Sequence, residues 1–162
     1  MTKIIETNSL MDEILLSKST RSISFDKKIK IKKELFCFFK NVRLFEQNGN
    51  KCFSCQNYFD SKFDKNGIPS SITDWEWDTN EIYLGTSAVG KQFKESIVFS
   101  LGVIESILRE SFYGNSFYIC VSIQNRGIKS INIRVYLNRG VPYVNTDLED
   151  FAQPVLNEIF TV

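Results

Sequence analysis

Residues 117–137 read FYICVSIQNRGIKSINIRVYL. Phe117, Ile119, Val121 and Ile123 fall on alternate positions, and so do Ile131, Ile133, Val135 and Leu137. Successive side chains of a strand point to opposite faces, so each run gathers its apolar residues on one face. Asn125-Arg126-Gly127 supplies turn residues between the runs. The stretch therefore predicts an antiparallel hairpin with one oily face. Its other face carries Tyr118, Ser122, Gln124, Asn132, Arg134 and Tyr136. That set is rich in Tyr and poor in Lys and Glu, which is the bias of interface cores. The expectation is an exposed docking face, unless a second layer of the protein covers it.

Upstream, Phe93, Ile97, Leu101, Ile104, Leu108 and Phe112 recur every three or four residues, and Val98, Phe99, Val103 and Ile107 widen the stripe. This spacing predicts a long central helix over 89–112, ended by Gly114. A second amphipathic helix is expected over 27–47. Its apolar side is Ile31, Leu35, Phe38, Phe39, Val42 and Phe45, and Gly49 closes it. Ser9 is a candidate cap for a short N-terminal helix, and residues 21–25 suggest a short strand. Residues 48–71 are polar and read as loop. Residues 72–84, with Trp75, Trp77, Ile82 and Tyr83, read as strand. A further strand is expected over 141–144. Asp147 then caps a short C-terminal helix reaching about Ile159, with Pro154 inside it. The predicted fold is a single α+β domain, an antiparallel meander of about four strands against the long helix.

Composition narrows the function. The chain has 162 residues and a formal charge of +1, so it is neither a strongly basic nucleic-acid binder nor an acidic mimic. No run approaches the roughly 18 apolar residues of a membrane span. Acidic residues Glu6, Asp12 and Glu13 interrupt the apolar N-terminal stretch, which makes a poor export signal, so the expected location is the cytoplasm. Abundant Ile, Lys, Asn and Phe suggest an AT-rich bacterial or phage genome.

Several motifs suggest chemistry and then fall short of it. GTSAVGKQ, residues 85–92, is one residue from the phosphate-binding loop GxxxxGK[ST]. Gln92 stands where a Mg²⁺-binding hydroxyl belongs. No later strand ends in the Asp that such a site requires, and the tight hairpin is antiparallel where that fold needs parallel strands. The stretch reads as a turn at Gly85 with Thr86 or Ser87 capping the helix. Cys52-Phe-Ser-Cys55 has C-x-x-C spacing, but the chain has no histidine and only four cysteines. Cys37 and Cys120 lie in apolar stretches and read as small buried thiols, so no metal and no cofactor are assigned. Without histidine the commonest general base is missing, and no catalytic residue is assigned.

Two clusters remain. Lys27, Lys28, Lys30, Lys32, Lys33, Lys40 and Arg43 place a positive stripe on 27–43, an alternative nucleic-acid site that lacks the aromatic interleaving of single-strand binders. Asp74, Glu76, Asp78 and Glu81 are interleaved with Trp75 and Trp77 over 74–81, the alternative site of a small-ligand or metal-dependent enzyme. The favoured reading is non-enzymatic protein binding, concretely a toxin-neutralising immunity protein. Trp75, Trp77, Tyr118, Gln124, Arg134 and Tyr136 would serve as contacts, and Glu76 and Asp78 would help steer a basic partner. The sequence leaves the partner's identity and the oligomeric state open.

Overall fold

The computed structural model describes residues 2–18, 22–47, 49–55, 72–85, 89, 92–124, 130–141, 143 and 147–162. Along these the chain runs β1 (Thr2–Thr7), α1 (Ser9–Leu16), α2 (Phe25–Phe38), a 3-10 turn at Phe39–Asn41, β2 (Arg43–Gln47) and β3 (Asn50–Ser54). It continues through α3 (Ile72–Thr79), β4 (Glu81–Leu84), α4 (Phe93–Ser111), β5 (Ser116–Gln124), β6 (Ser130–Leu137), a 3-10 turn at Leu148–Asp150 and β7 (Val155–Thr161).

The hairpin forms where alternation places it. Phe117 pairs with Leu137, Ile119 with Val135, Val121 with Ile133 and Ile123 with Ile131. All of these side chains lie in the main core. Helix α4 packs its stripe of Ile97, Leu101, Ile104 and Leu108 into the same core, together with Ile31 and Leu35 of α2 and Met11 of α1. The α+β class and the antiparallel sheet are as expected.

The simple meander is not. The sheet has five strands in the order β1-β7-β5-β6-β4, and every neighbouring pair is antiparallel. The C-terminal segment expected as a helix is β7, inserted between β1 and β5. Val155, Leu156, Ile159 and Phe160 mimic helical spacing because a strand buried on both faces loses its alternation. Pro154 precedes the strand instead of kinking a helix, a position that needs no N–H for the ladder. The N-terminal residues before α1 form β1, and the cap of α1 is Asn8, not Ser9. Asn8 Oδ1 accepts from Met11 N and from Val155 N, each at 3.0 Å.

The 27–47 helix is also shorter than expected. It ends at Phe38, and Val42 leads into β2, which pairs with β3 as a separate two-stranded sheet. Gly49 therefore belongs to a hairpin turn, with φ of 75°, and does not cap a helix. Part of the expected 48–71 loop is β3, Gly49 and Cys55 flank it outside the strand, and residues 48 and 56–71 lie outside the described residues. Residues 22–24 and Val141 are not in strands, which removes the short strands expected over 21–25 and 141–144 from the described positions. Cys37, expected to be buried, is exposed on α2, while Cys52, Cys55 and Cys120 are buried. Val98, expected to widen the packed stripe of α4, is exposed.

One charge interrupts the core face of β7. Glu158 lies between Leu156 and Phe160 and is fully buried. Lys3 of β1 pairs with it at 2.9 Å and also binds Glu105 of α4. Burial pushes the Glu158 carboxyl above its ordinary range; Lys3 opposes the shift and Glu105 adds to it. A raised carboxyl pKa means that the folded state binds the proton more tightly, so this group favours folding as pH falls toward the ordinary carboxylate value. We expect Glu158→Gln to gain stability relative to the native chain as pH rises from about 4.5 to 8, because the glutamine carries no burial penalty for charge. Urea melts across that range check it, and a difference independent of pH would remove Glu158 as the cause.

Candidate partner-binding face around Trp77

The segment read as a strand over 72–84 is a helix, α3, followed by the short strand β4. Tertiary packing explains why the alternation misleads. Residues two apart on a helix lie about 200° apart, so Trp75 and Trp77 face opposite sides of α3 as they would of a strand. Each side meets a different sheet. Trp75 is buried edge-on against Phe45 of β2, with ring centroids 6.2 Å apart. Trp77 meets the outer face of the five-stranded sheet, 5.6 Å from Tyr136 of β6.

Between the two tryptophans, Glu76 points inward and is fully buried. Its carboxylate accepts from Phe53 N of β3 at 2.7 Å and from Leu137 N of β6 at 2.8 Å. Arg139 donates to both of its oxygens, at 3.0 and 2.6 Å, and to the Lys51 carbonyl at 2.8 Å. One turn later, Asn80 repeats the bridge. Its side chain accepts from Cys55 N at 2.9 Å and donates to the Phe53 carbonyl at 3.0 Å, while its own carbonyl accepts from Val135 N at 3.2 Å. Glu76 and Asn80 thus satisfy backbone groups of β3 and β6 beyond the reach of short β4. Burial pushes the Glu76 carboxyl up, and Arg139 with the two backbone N–H groups holds it back. The carboxylate read as a steering charge is a structural clamp.

The outer face is covered more than alternation implies. Tyr136 is 0% exposed and Tyr118 is 5% exposed, and their rings stack at 5.1 Å. They form a second small core with Cys120 and Val155, and Trp77, Leu148, Phe151 and Ile159 pack against it. Ser122 and Asn132 are buried as well. The expected exposure of these residues is therefore corrected: α3 and the 148–151 segment supply a second layer. Gln124 is exposed, but it lies four residues along β5 from the partner of Arg134, roughly 13 Å away.

What stays accessible is smaller and centred on Trp77. Its ring stacks on Tyr143 at 4.4 Å with planes 24° apart, and the Arg134 guanidinium lies 4.5 Å from its centroid. Arg134 is in turn ion-paired with Glu81 of β4. Tyr83 and Tyr143 are exposed beside this group, and Asp74 and Asp78 project from α3 as exposed carboxylates. Asn132 Oδ1, Arg134 Nε and Asn157 Oδ1 are buried without a hydrogen-bond partner, on adjacent or nearby strands of the same face. The sequence reading missed Tyr143 and Arg139 because both follow β6 in a segment with no periodic pattern.

The other candidate motifs take structural places. Gln92, at the P-loop hydroxyl position, donates to the Ser22 carbonyl at 2.9 Å and accepts from Lys27 at 3.2 Å. The preceding strand β4 is antiparallel to its neighbour, and the expected cap positions 86 and 87 lie outside the described residues, as does the 125–127 turn. Burial pushes the Cys55 thiol well up and raises Cys52, so both favour the protonated form that neither attacks nor ligates readily. Among the described residues no three metal-ligating side chains converge. The positive stripe over 27–43 is split, because Arg43 lies in β2 and its guanidinium sits over Phe45.

Compared with known proteins, the chain matches no family model, no curated protein and no solved structure. Among the described residues no helix is long and apolar enough to cross a membrane.

Arg139→Ala would leave Glu76 buried without its cation, which is expected to cost about 3–5 kcal/mol. The Glu76 pKa would then climb further, so protonation would relieve part of the loss. The variant should therefore be weaker against denaturant near pH 8 than near pH 5, relative to the native chain. Equal losses at both pH values would show that Arg139 acts through packing alone.

Proposed function

We propose that the protein is a non-enzymatic binding protein, most concretely a bacterial immunity protein that occludes the active site of a basic toxin in the cytoplasm. Trp77 is the observation that carries this reading. It is a half-buried indole held between a stacked tyrosine and a guanidinium. An aromatic anchor already locked in place loses little side-chain entropy when a partner covers it. Exposed Asp74 and Asp78 on the same short helix supply negative charge that would attract a basic surface. The docking surface is narrower than the whole hairpin face and consists of Trp77, Arg134, Tyr83, Tyr143 and the two aspartates.

The test is co-expression with the product of a neighbouring toxin gene, followed by calorimetry and a toxin activity assay. Trp77→Ala is expected to lose at least about 2 kcal/mol of binding, roughly 30-fold, with melting followed in parallel because Trp77 also packs on Tyr136. A double Asp74→Asn, Asp78→Asn variant should slow association and flatten its salt dependence while leaving dissociation nearly unchanged. Toxin that stays fully active in excess native protein, or a folded Trp77→Ala chain that protects as well as the native one, would end this reading.

A further inference from the structure

On the opposite layer, α2 and α4 leave an open groove of about 570 Å³. Lys32 and Phe36 line it from α2, and Val98, Phe99, Gly102 and Val103 line it from α4. Its apolar residues are not fully used by the fold, since Phe36 is 51% exposed and Val98 59% exposed. Exposed Ile29 and Phe25 extend the same stripe along α2 at helical spacing. A contiguous oily surface of this kind marks an interaction site more often than a solvated face.

Gly102 gives a second, independent indication. It sits inside the 19-residue helix α4, where glycine is less stable than alanine. A Cβ built there meets nothing within 4 Å, so packing within the chain does not require glycine. Gly102 and Val98 also line a neighbouring groove of about 410 Å³ toward β1 and α1, so the two grooves meet over a low saddle of bare helix backbone. Another backbone can approach closely at such a point.

Charge selects the occupant. The Lys32 ammonium lies 5.5 Å from the Phe36 ring centroid, and that of Lys28 lies 5.8 Å from the Phe99 centroid. Lys27, Lys30 and Lys33 share α2, against Asp26 and Glu34. Glu110 is the acid among the residues that line the groove. Lys28 and Lys32 at the groove outnumber Glu110, so a partner with carboxylates on its polar side complements this face better than a second copy does, and an alkyl chain would lie half in water in so open a trough. We propose that the α2–α4 groove docks an acidic amphipathic helix of a partner protein, whose apolar residues at i, i+3, i+4 and i+7 seat on Phe36, Val98, Phe99 and Val103 while its carboxylates face Lys28 and Lys32. This site is independent of the Trp77 face.

The test uses the full chain and two synthetic helical peptides with the same leucine stripe, one with glutamates and one with lysines on the polar side. The glutamate peptide should bind in the micromolar range, weaken with salt and shift the resonances of Phe36, Val98 and Val103. The lysine peptide should bind at least about tenfold more weakly. Gly102→Leu should cut glutamate-peptide affinity about tenfold or more by filling the saddle. Gly102→Ala should raise the melting temperature while weakening binding, a pair of signs that a purely structural glycine would not produce. Lys28→Glu with Lys32→Glu should reverse the peptide preference without unfolding the chain. Equal binding of both peptides, or no groove shifts with the glutamate peptide, overturns the proposal. So does dodecanoate shifting those resonances where the peptide does not, or concentration-dependent dimerisation that Phe36→Asp abolishes.

Discussion

A buried carboxylate, Glu76, with Asn80 one turn further on, ties the two sheets together. Glu76 has no solvent exposure, yet it accepts from β3, from β6 and from Arg139. A carboxylate removed from water is costly unless its lone pairs are filled, and here they are filled by Arg139, by Phe53 N of β3 and by Leu137 N of β6, which lies beyond the end of β4. The clamp fixes where α3 lies. Once α3 is placed, Trp75 is committed to β2 and Trp77 to the outer sheet face.

Two cores follow from that placement. The larger one lies between the sheet and helices α1, α2 and α4, and is built from the oily face of the hairpin. The smaller one lies on the other face, where the stacked tyrosines are capped by Trp77, Leu148 and Phe151. Polar strand residues thus became interior, and three of the face's polar atoms are left without partners. The available surface shrank to the rim around Trp77, and the broad apolar exposure moved to the helix side at Phe36 and Val98. The two surfaces also differ in charge: exposed aspartates flank the first and lysines the second.

Legibility in the sequence tracked how local the determining interactions are. The hairpin could be read because each side chain's face depends only on its parity along the strand. Helix α4 could be read because its stripe persists over many turns. Strand β7 could not, since residues buried on both faces carry no period-two signal. The Asn48-Gly49 pair is a hairpin signal in its own right, and the helical pattern running into Phe45 hid it. Of the expected contacts, Trp77, Arg134 and Asp78 stay together at the surface, whereas Trp75, Glu76, Tyr118 and Tyr136 do not.

By itself the amino-acid order determined an α+β protein with an antiparallel hairpin and a long packed helix, because repeated apolar spacing needs no partner to be meaningful. Only the tertiary structure decided that the hairpin's second face is covered as well, leaving just the rim around Trp77 accessible. That outcome hangs on contacts between residues far apart in the chain, with Glu76 reaching Phe53 and Leu137, and Trp77 reaching Tyr136 and Tyr143. No local pattern encodes such meetings, because they exist only after the chain has closed on itself.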